Sequence, residues 1–173
     1  LFNKSLENQL SKPYTAQSLF WKAESQYRLK QYNKAIETYY LFTTQAGAFD
    51  LPYYRDAHYN IGYSFFHIKR YGDANTAFRK YIASRGADTD KPIYFDAHLR
   101  IGDCFFIQKE YKRAIEFYDA VINHQQQDAD YALYQKSLCY GVLGDYNKKI
   151  ETLLVLMKDY PSSSYDDDAK NEI

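Results

Sequence analysis

Four histidines (His58, His67, His98 and His124) and two cysteines (Cys104 and Cys139) are the side chains of this 173-residue chain best suited to bind a metal or to act as nucleophile and base. Their spacing supports neither use. A closed zinc site takes four Cys or His ligands, usually in close pairs, and no Cys or His stands at ligand spacing beside His58 or His98. Two cysteines build neither a disulfide framework nor a zinc site. The run Asp166-Asp167-Asp168 offers carboxylates to a cation. A helix start after Ser162-Ser163-Ser164 accounts for it, because acids favour the positive end of the helix dipole. Walker loops, Gly-x-Gly-x-x-Gly, His-Glu-x-x-His and Gly-x-Ser-x-Gly are all missing from the sequence. The expectation is therefore no catalytic residue, no metal and no cofactor.

Composition narrows the partners. Twenty-two Lys and Arg balance 22 Asp and Glu, so bulk charge draws the chain to neither nucleic acid nor an anionic membrane. No run of about 18 apolar residues exists to span a bilayer, and Leu1-Phe2-Asn3-Lys4-Ser5 does not read as a secretory leader. The chain is polar on average, with a mean hydropathy of −0.64. Yet it carries 20 Tyr and 11 Phe, which requires recurring sites where rings are half buried and half wet. Seven Gly and four Pro are too few for the turns of a many-stranded β fold.

The elements that place these rings repeat. Asp56-Ala57-His58-Tyr59-Asn60-Ile61-Gly62 reads like Asp96-Ala97-His98-Leu99-Arg100-Ile101-Gly102, and Asp168-Ala169-Lys170-Asn171-Glu172-Ile173 begins the same way. Phe65-Phe66 followed by Lys69-Arg70-Tyr71-Gly72-Asp73-Ala74 parallels Phe105-Phe106 followed by Lys109-Glu110-Tyr111-Lys112-Arg113-Ala114. Gln31-Tyr32-Asn33-Lys34-Ala35 and Gly144-Asp145-Tyr146-Asn147-Lys148-Lys149 open two further second halves. Tyr32, Tyr71, Tyr111 and Tyr146 mark the four units at separations of 39, 40 and 35 residues.

Two helical stretches per unit, a small residue in the first and an Ala after the Tyr of the second resemble the tetratricopeptide repeat, whose period is about 34. That resemblance implies an all-α solenoid of antiparallel helix pairs coiled as a right-handed superhelix. In the family register, position 8 is Ala23, Gly62, Gly102 and Ser137; position 10 is Ser25, Ser64, Cys104 and Cys139. Position 20 is Ala35, Ala74, Ala114 and, as a departure, Lys149; position 24 is Tyr39, Phe78, Tyr118 and Leu153. Small residues are needed where the two helices cross closely, and rings at positions 17 and 24 fill the space beside them. His58 and His98 fall at position 4, where packing against a neighbouring helix is expected, while His67 and His124 are expected at the surface. Cys104 and Cys139 become buried small residues, since neighbouring helices about 8–10 Å apart exceed the roughly 7 Å reach of a disulfide.

The register predicts first helices over 15–30, 53–69, 94–108 and 129–143, and second helices over 33–46, 72–85, 112–124 and 147–159. Asp56, Asp96 and Asp168 are expected in first turns. The chain divides as one solenoid, 1–173: the end of a preceding repeat over 3–13, repeats over 15–52, 53–92, 93–128 and 129–163, and the start of a fifth over 164–173. Residues 3–11 read as the second helix of that preceding unit, so the chain is expected to be part of a longer solenoid.

In tetratricopeptide proteins the first helices line a concave face, and the resemblance implies a lining of Phe20, Glu24, Asp56, Tyr59, Asn60, Tyr63, Asp96, Arg100, Asp103, Tyr131 and Tyr134. Tyr offers area and a hydrogen-bonding tip at little entropic cost, which suits an extended segment or helix of another protein. Part of these rings is alternatively spent on packing between units. Family members that hold an acidic chain terminus use five basic or amide residues; Asn60 and Arg100 match, but Phe20, Glu24 and Asp96 replace the others. Two carboxylates of the wrong sign favour a neutral or basic segment. Finally, Tyr160-Pro161-Ser162-Ser163-Ser164-Tyr165 before Asp168-Ala169 is similar to the links of bacterial envelope repeat proteins. The reading is a non-enzymatic scaffold for a protein or peptide partner, with the periplasm or cell envelope implied by that link and the cytoplasm left open. The alternative is a structural segment that self-associates through its open ends.

Overall fold

The computed structural model describes residues 12–84, 92–124 and 128–173. Among these residues it is all helix: α1 (Lys12–Arg28), α2 (Tyr32–Thr44), α3 (Tyr54–His67), α4 (Tyr71–Ala83), α5 (Pro92–Ile107), α6 (Tyr111–Ile122), α7 (Ala129–Val142), α8 (Tyr146–Asp159) and α9 (Asp166–Asn171). Every expected helix from residue 15 onward is present, its ends displaced by no more than three residues. Residues 3–11 lie outside the described part. One placement is corrected: α5 starts at Pro92, a residue suited to a first helical position, so Asp96 falls outside the first turn. There it pairs with Arg100 at 3.5 Å.

Contacts divide the chain into two compact units, Leu1–Ala87 and Asp88–Ile173. In the first, α1 packs on α2, α2 on α3 and α3 on α4; in the second, α5 through α9 pack successively in the same way. Each pair closes through the same link. Arg70 N donates to Phe65 O at 2.9 Å and Glu110 N to Phe105 O at 2.8 Å, with Gln31 to Gln26 and Asp145 to Tyr140 alike. This six-residue closure ends a helix on a left-handed residue. Glycine takes that place at Gly144, but Lys30, Lys69 and Lys109 occupy it in the other three units, at φ of 57°, 61° and 63°.

Within a pair, the small position faces a ring. A Cβ added to Gly62 would meet the Phe78 ring at 2.7 Å, and one added to Gly102 would meet Tyr118 at 2.6 Å. That close approach leaves Phe78 and Tyr118 fully buried, and burying each such ring stabilises by about 1.5–3 kcal/mol. Ala35, Ala74 and Ala114 are likewise fully buried. At the turns, Tyr27–Tyr32, Phe66–Tyr71 and Phe106–Tyr111 form edge-on ring pairs with centroids 5.8, 5.3 and 5.5 Å apart.

The fourth pair breaks the pattern, and two of its departures fit each other. Gly141 stands where the others carry a ring, and the stem of Lys149 comes within 3.3 Å of where a Cβ on Gly141 would lie. The Lys149 ammonium ion-pairs with Glu172, just beyond α9. With no ring to meet, Tyr146 is 65% exposed, so only three of the four recurring tyrosines act as packing rings. The second unit is closed by Leu133, Leu153, Leu156 and Ala169, with Tyr134, Tyr160 and Tyr165 at its edge.

Candidate functional site

The first-helix residues singled out by the register fall into separate clusters. On the first unit, Phe20 is buried at 5% exposure, its ring 4.3 Å from Tyr53 and 5.2 Å from Trp21. It supports that surface from below. Glu24 and Asn60 meet over α2: Tyr39 Oη donates to Glu24 Oε2 at 2.8 Å, and Asn60 Nδ2 donates to both Glu24 Oε2 and Tyr39 Oη at 3.0 Å. Arg28 Nε adds a bond to the other Glu24 oxygen at 2.9 Å. Burial and the Glu24 charge push the Tyr39 hydroxyl far above its usual pKa, so it stays a donor. Tyr59 and Tyr63 lie 5.0 Å apart as an edge-on pair, each partly exposed, over Phe78 and Tyr81. Asp56 is half-buried in the first turn of α3.

The second unit repeats the carboxylate and tyrosine tie with more donors. Asp103 is buried at 6% exposure; its Oδ1 accepts from Tyr118 Oη at 3.0 Å and Tyr131 Oη at 2.9 Å, and its Oδ2 from Arg100 at 2.6 Å. Arg100 also reaches Asp96 and lies over the Tyr131 ring at 5.6 Å. Burial raises the Asp103 pKa against the opposing pull of Arg100, Tyr131 and Tyr118. Tyr134 stacks on Tyr165 at 5.2 Å, and Tyr131 lies 5.8 Å from the same ring. Arg100, Asp128, Asp130, Tyr131, Ser164 and Tyr165 line a cleft of about 330 Å³. Sequence reasoning assigned Tyr39 and Tyr118 to space filling and passed over Asp130, Ser164 and Tyr165. The signal available was the acid at position 9 followed fifteen residues later by Tyr, present only in the first and third units.

The residues with chemical potential are otherwise engaged. His58 and His98 are buried at 8% and 9% exposure, and burial lowers the pKa of both. His98 Nδ1 donates to the Tyr94 carbonyl at 2.9 Å. Cys104 and Cys139 are buried and not joined by a disulfide, and burial pushes the Cys139 thiol up to about 12. Asp166 and Asp167 pair with Lys170. Ser163 does not cap α9, as the serine run had implied; its hydroxyl donates to Asp130 and accepts from Tyr165 N, while Tyr165 holds the N-cap position. Among the described residues no three His, Cys, Asp or Glu gather as a metal site, and no helix is long and apolar enough to cross a membrane.

Successive helix pairs joined by one recurring turn, with a small residue against a ring at each crossing, define a helical-repeat protein. Models described as tetratricopeptide repeat match residues 70–132, and 17–45 with 131–163; the chain belongs to the tetratricopeptide repeat family. Its fold is similar to that of MamA from Desulfovibrio magneticus RS-1, at 20% identity and a TM-score of 0.68, covering 91% of this chain and 88% of that one. Pseudomonas aeruginosa pilF is similar at 18% identity and a TM-score of 0.67, covering 99% and 72% of the two chains. BtubC from P. vanneervenii reaches a TM-score of 0.72 at 13% identity, with 91% and 68% covered. Compared with curated proteins, the sequence matches none. Proteins of this family are in general interaction scaffolds without catalytic activity, and the fold implies protein partners.

Proposed function

We propose that the chain holds an extended segment or helix of a protein partner along its first helices, without catalysing a reaction. The observation that carries this reading is the Tyr59 and Tyr63 pair: two partly exposed rings 5.0 Å apart, seated on buried Phe78 and Tyr81. Rings braced from below lose little freedom on contact and present both apolar area and hydroxyl tips. On the second unit Tyr131 and Tyr134 of α7 lie 5.8 and 5.2 Å from the Tyr165 ring, and Arg100, paired with Asp96, lies over Tyr131. Asp56 supplies the corresponding charge on the first unit. Phe20, Glu24 and Asn60 brace the first unit's surface, and Asp103 the second's, through the contacts described above.

Selection of a displayed random-peptide library on the whole chain tests the proposal. Recovered peptides should share a pattern and bind in calorimetry. Tyr59→Ala with Tyr63→Ala should weaken them at least tenfold at unchanged helical content, as expected of central aromatic anchors. No recovered pattern, or equal affinity in the double variant, overturns it. The Tyr160-to-Ala169 link further supports a place in a bacterial envelope assembly; recovery of the natural protein in the cytosolic fraction of its own cells overturns that part.

A further inference from the structure

We infer that the cleft between α5, α7 and the link before α9 receives an arginine side chain of the bound segment. This rests on the scaffold reading and names the chemistry recognised at one place on the second unit. About 330 Å³ is at the small end of ligand clefts, space for a long side chain and not for a large cofactor. Its charge is unbalanced. Arg100 is held by Asp96 and Asp103 on its own helix, so the positive charge in the cleft is already matched. Asp128 and Asp130 have no Lys, Arg or His within ion-pair distance among the described residues. Asp130 is held in place without being neutralised: its Oδ1 accepts the Tyr131 N–H at 2.8 Å, and its Oδ2 accepts the Ser163 hydroxyl. Asp128 stands at the cleft edge, at a left-handed φ of 69°.

The aromatic wall selects among cations. Tyr131 and Tyr165 line the cleft with ring centroids 5.8 Å apart, and Arg100 already lies over one of these rings. A planar guanidinium stacks on such faces while its fork meets carboxylates, whereas an ammonium uses only the charge. A partner carboxylate directed at Arg100 would face four aspartates, which excludes an acidic side chain.

Titrating the isotope-labelled whole chain with N-acetyl-Ala-Arg-Ala-amide, followed by amide NMR, tests this site. Saturable shifts should centre on Asp130, Tyr131, Ser164 and Tyr165, with the Lys tripeptide weaker and the Glu tripeptide inert. Asp128→Asn with Asp130→Asn keeps the hydrogen-bond acceptors and should weaken binding about tenfold, the sum expected of two partly exposed ion pairs. Higher salt should weaken it too. If the double variant loses its dispersed spectrum, Asp128→Asn alone must still weaken binding about threefold. Shifts absent from the cleft, unchanged by these substitutions, or equal for the Glu tripeptide overturn the inference. Selected peptides that depend on Tyr59 and Tyr63 but show no arginine preference would overturn the cleft and leave the scaffold standing. Failure to select any peptide would overturn the scaffold, while the tripeptide titration still decides the cleft.

Discussion

The Tyr118 hydroxyl donates to Asp103 across 3.0 Å, and Tyr39 donates to Glu24 across 2.8 Å at the same separation of fifteen residues. The corresponding pairs of the second and fourth units are Tyr63 with Phe78 and Leu138 with Leu153. A polar tie thus joins first and second helices in the first and third repeats, and in the second the Tyr63 and Phe78 rings meet edge-on at 5.2 Å. In the first repeat the tie is extended by Asn60 of α3, and in the third by Tyr131 of α7. Each therefore spans three helices.

Removing one partner of a buried, charge-assisted bond leaves the other unsatisfied, so Tyr118→Phe should lower stability by about 2 kcal/mol in denaturant unfolding. Asp103→Leu should cost as much or more, because Tyr118, Tyr131 and Arg100 all lose an acceptor. The Asp103→Leu/Tyr118→Phe double variant should cost less than the two singles combined. Carbon-detected NMR should also show the Asp103 pKa rising further in Tyr118→Phe, since a donor that opposes the burial effect is gone. Additive costs with an unmoved Asp103 pKa would remove the tie as a stabilising unit.

At Gly62 two effects compete. Alanine improves helix propensity by about 1 kcal/mol, but its Cβ would lie 2.7 Å from the Phe78 ring, and forcing a packed core apart costs roughly 1–3 kcal/mol. Gly62→Ala should be net destabilising, and Phe78→Leu beside it should recover part of the loss. Thermal unfolding of the two variants checks this; a higher Tm for Gly62→Ala alone would show that the helices separate freely.

Much of this architecture was legible because size at fixed phase is a strong signal: Gly62 and Gly102 announced close crossings, and Ala35, Ala74 and Ala114 the sites that admit nothing larger. The links were less legible. Left-handed residues are ordinarily inferred from glycine, and only the fourth link has one; Lys30, Lys69 and Lys109 gave no cue by type, although their recurrence before each Tyr did. The candidate site was read from register alone, which assigns a face but not hydrogen bonds. It therefore could not show that Glu24 and Asp103 are tied to buried tyrosines, nor that Asp130 and Tyr165 turn toward Arg100.

A left-handed lysine carries backbone strain of about 1–2 kcal/mol, partly offset by the greater unfolded-state freedom of glycine. Lys69→Gly should therefore stabilise by roughly 0.5–1 kcal/mol, and Gly144→Lys should destabilise by a similar amount. Equilibrium unfolding in urea resolves both. A loss of stability in Lys69→Gly would show that the lysine side chain contributes more than its backbone strain removes.

His58 and His98 titrate below the ordinary value of 6.5, with burial the first cause in both. The unfolded chain therefore binds more protons than the folded one between the folded pKa values and 6.5, and stability rises with pH through that window. Above it the neutral rings cost nothing; stability falls as the pH drops through it, because the rings are forced to charge, and below it the loss is complete and constant. Unfolding midpoints should drop as the pH falls below the ordinary histidine value of about 6.5. His98→Phe, placed among Tyr94, Phe95 and Phe117, should flatten the drop. An equally steep profile in His58→Phe/His98→Phe would assign it to other groups.

The pairing of Gly141 with Lys149 makes the last prediction, because two departures that compensate should be reversible only together. Gly141→Phe alone would drive a ring into the Lys149 stem, which already lies 3.3 Å from the Cβ position, and should destabilise α7 against α8. Lys149→Ala alone empties that space and releases Glu172 from its ion pair, a smaller loss because the carboxylate is exposed. Gly141→Phe with Lys149→Ala restores the ring and small residue of the other units. Tyr146 should then pack edge-on against the new ring as Tyr111 does against Phe106, adding about 1 kcal/mol relative to either single variant. Tyrosine fluorescence would report it, through loss of quencher access as Tyr146 leaves its 65% exposed position. Independent, additive effects of the two substitutions would mean that the fourth unit departs from its neighbours twice for unconnected reasons.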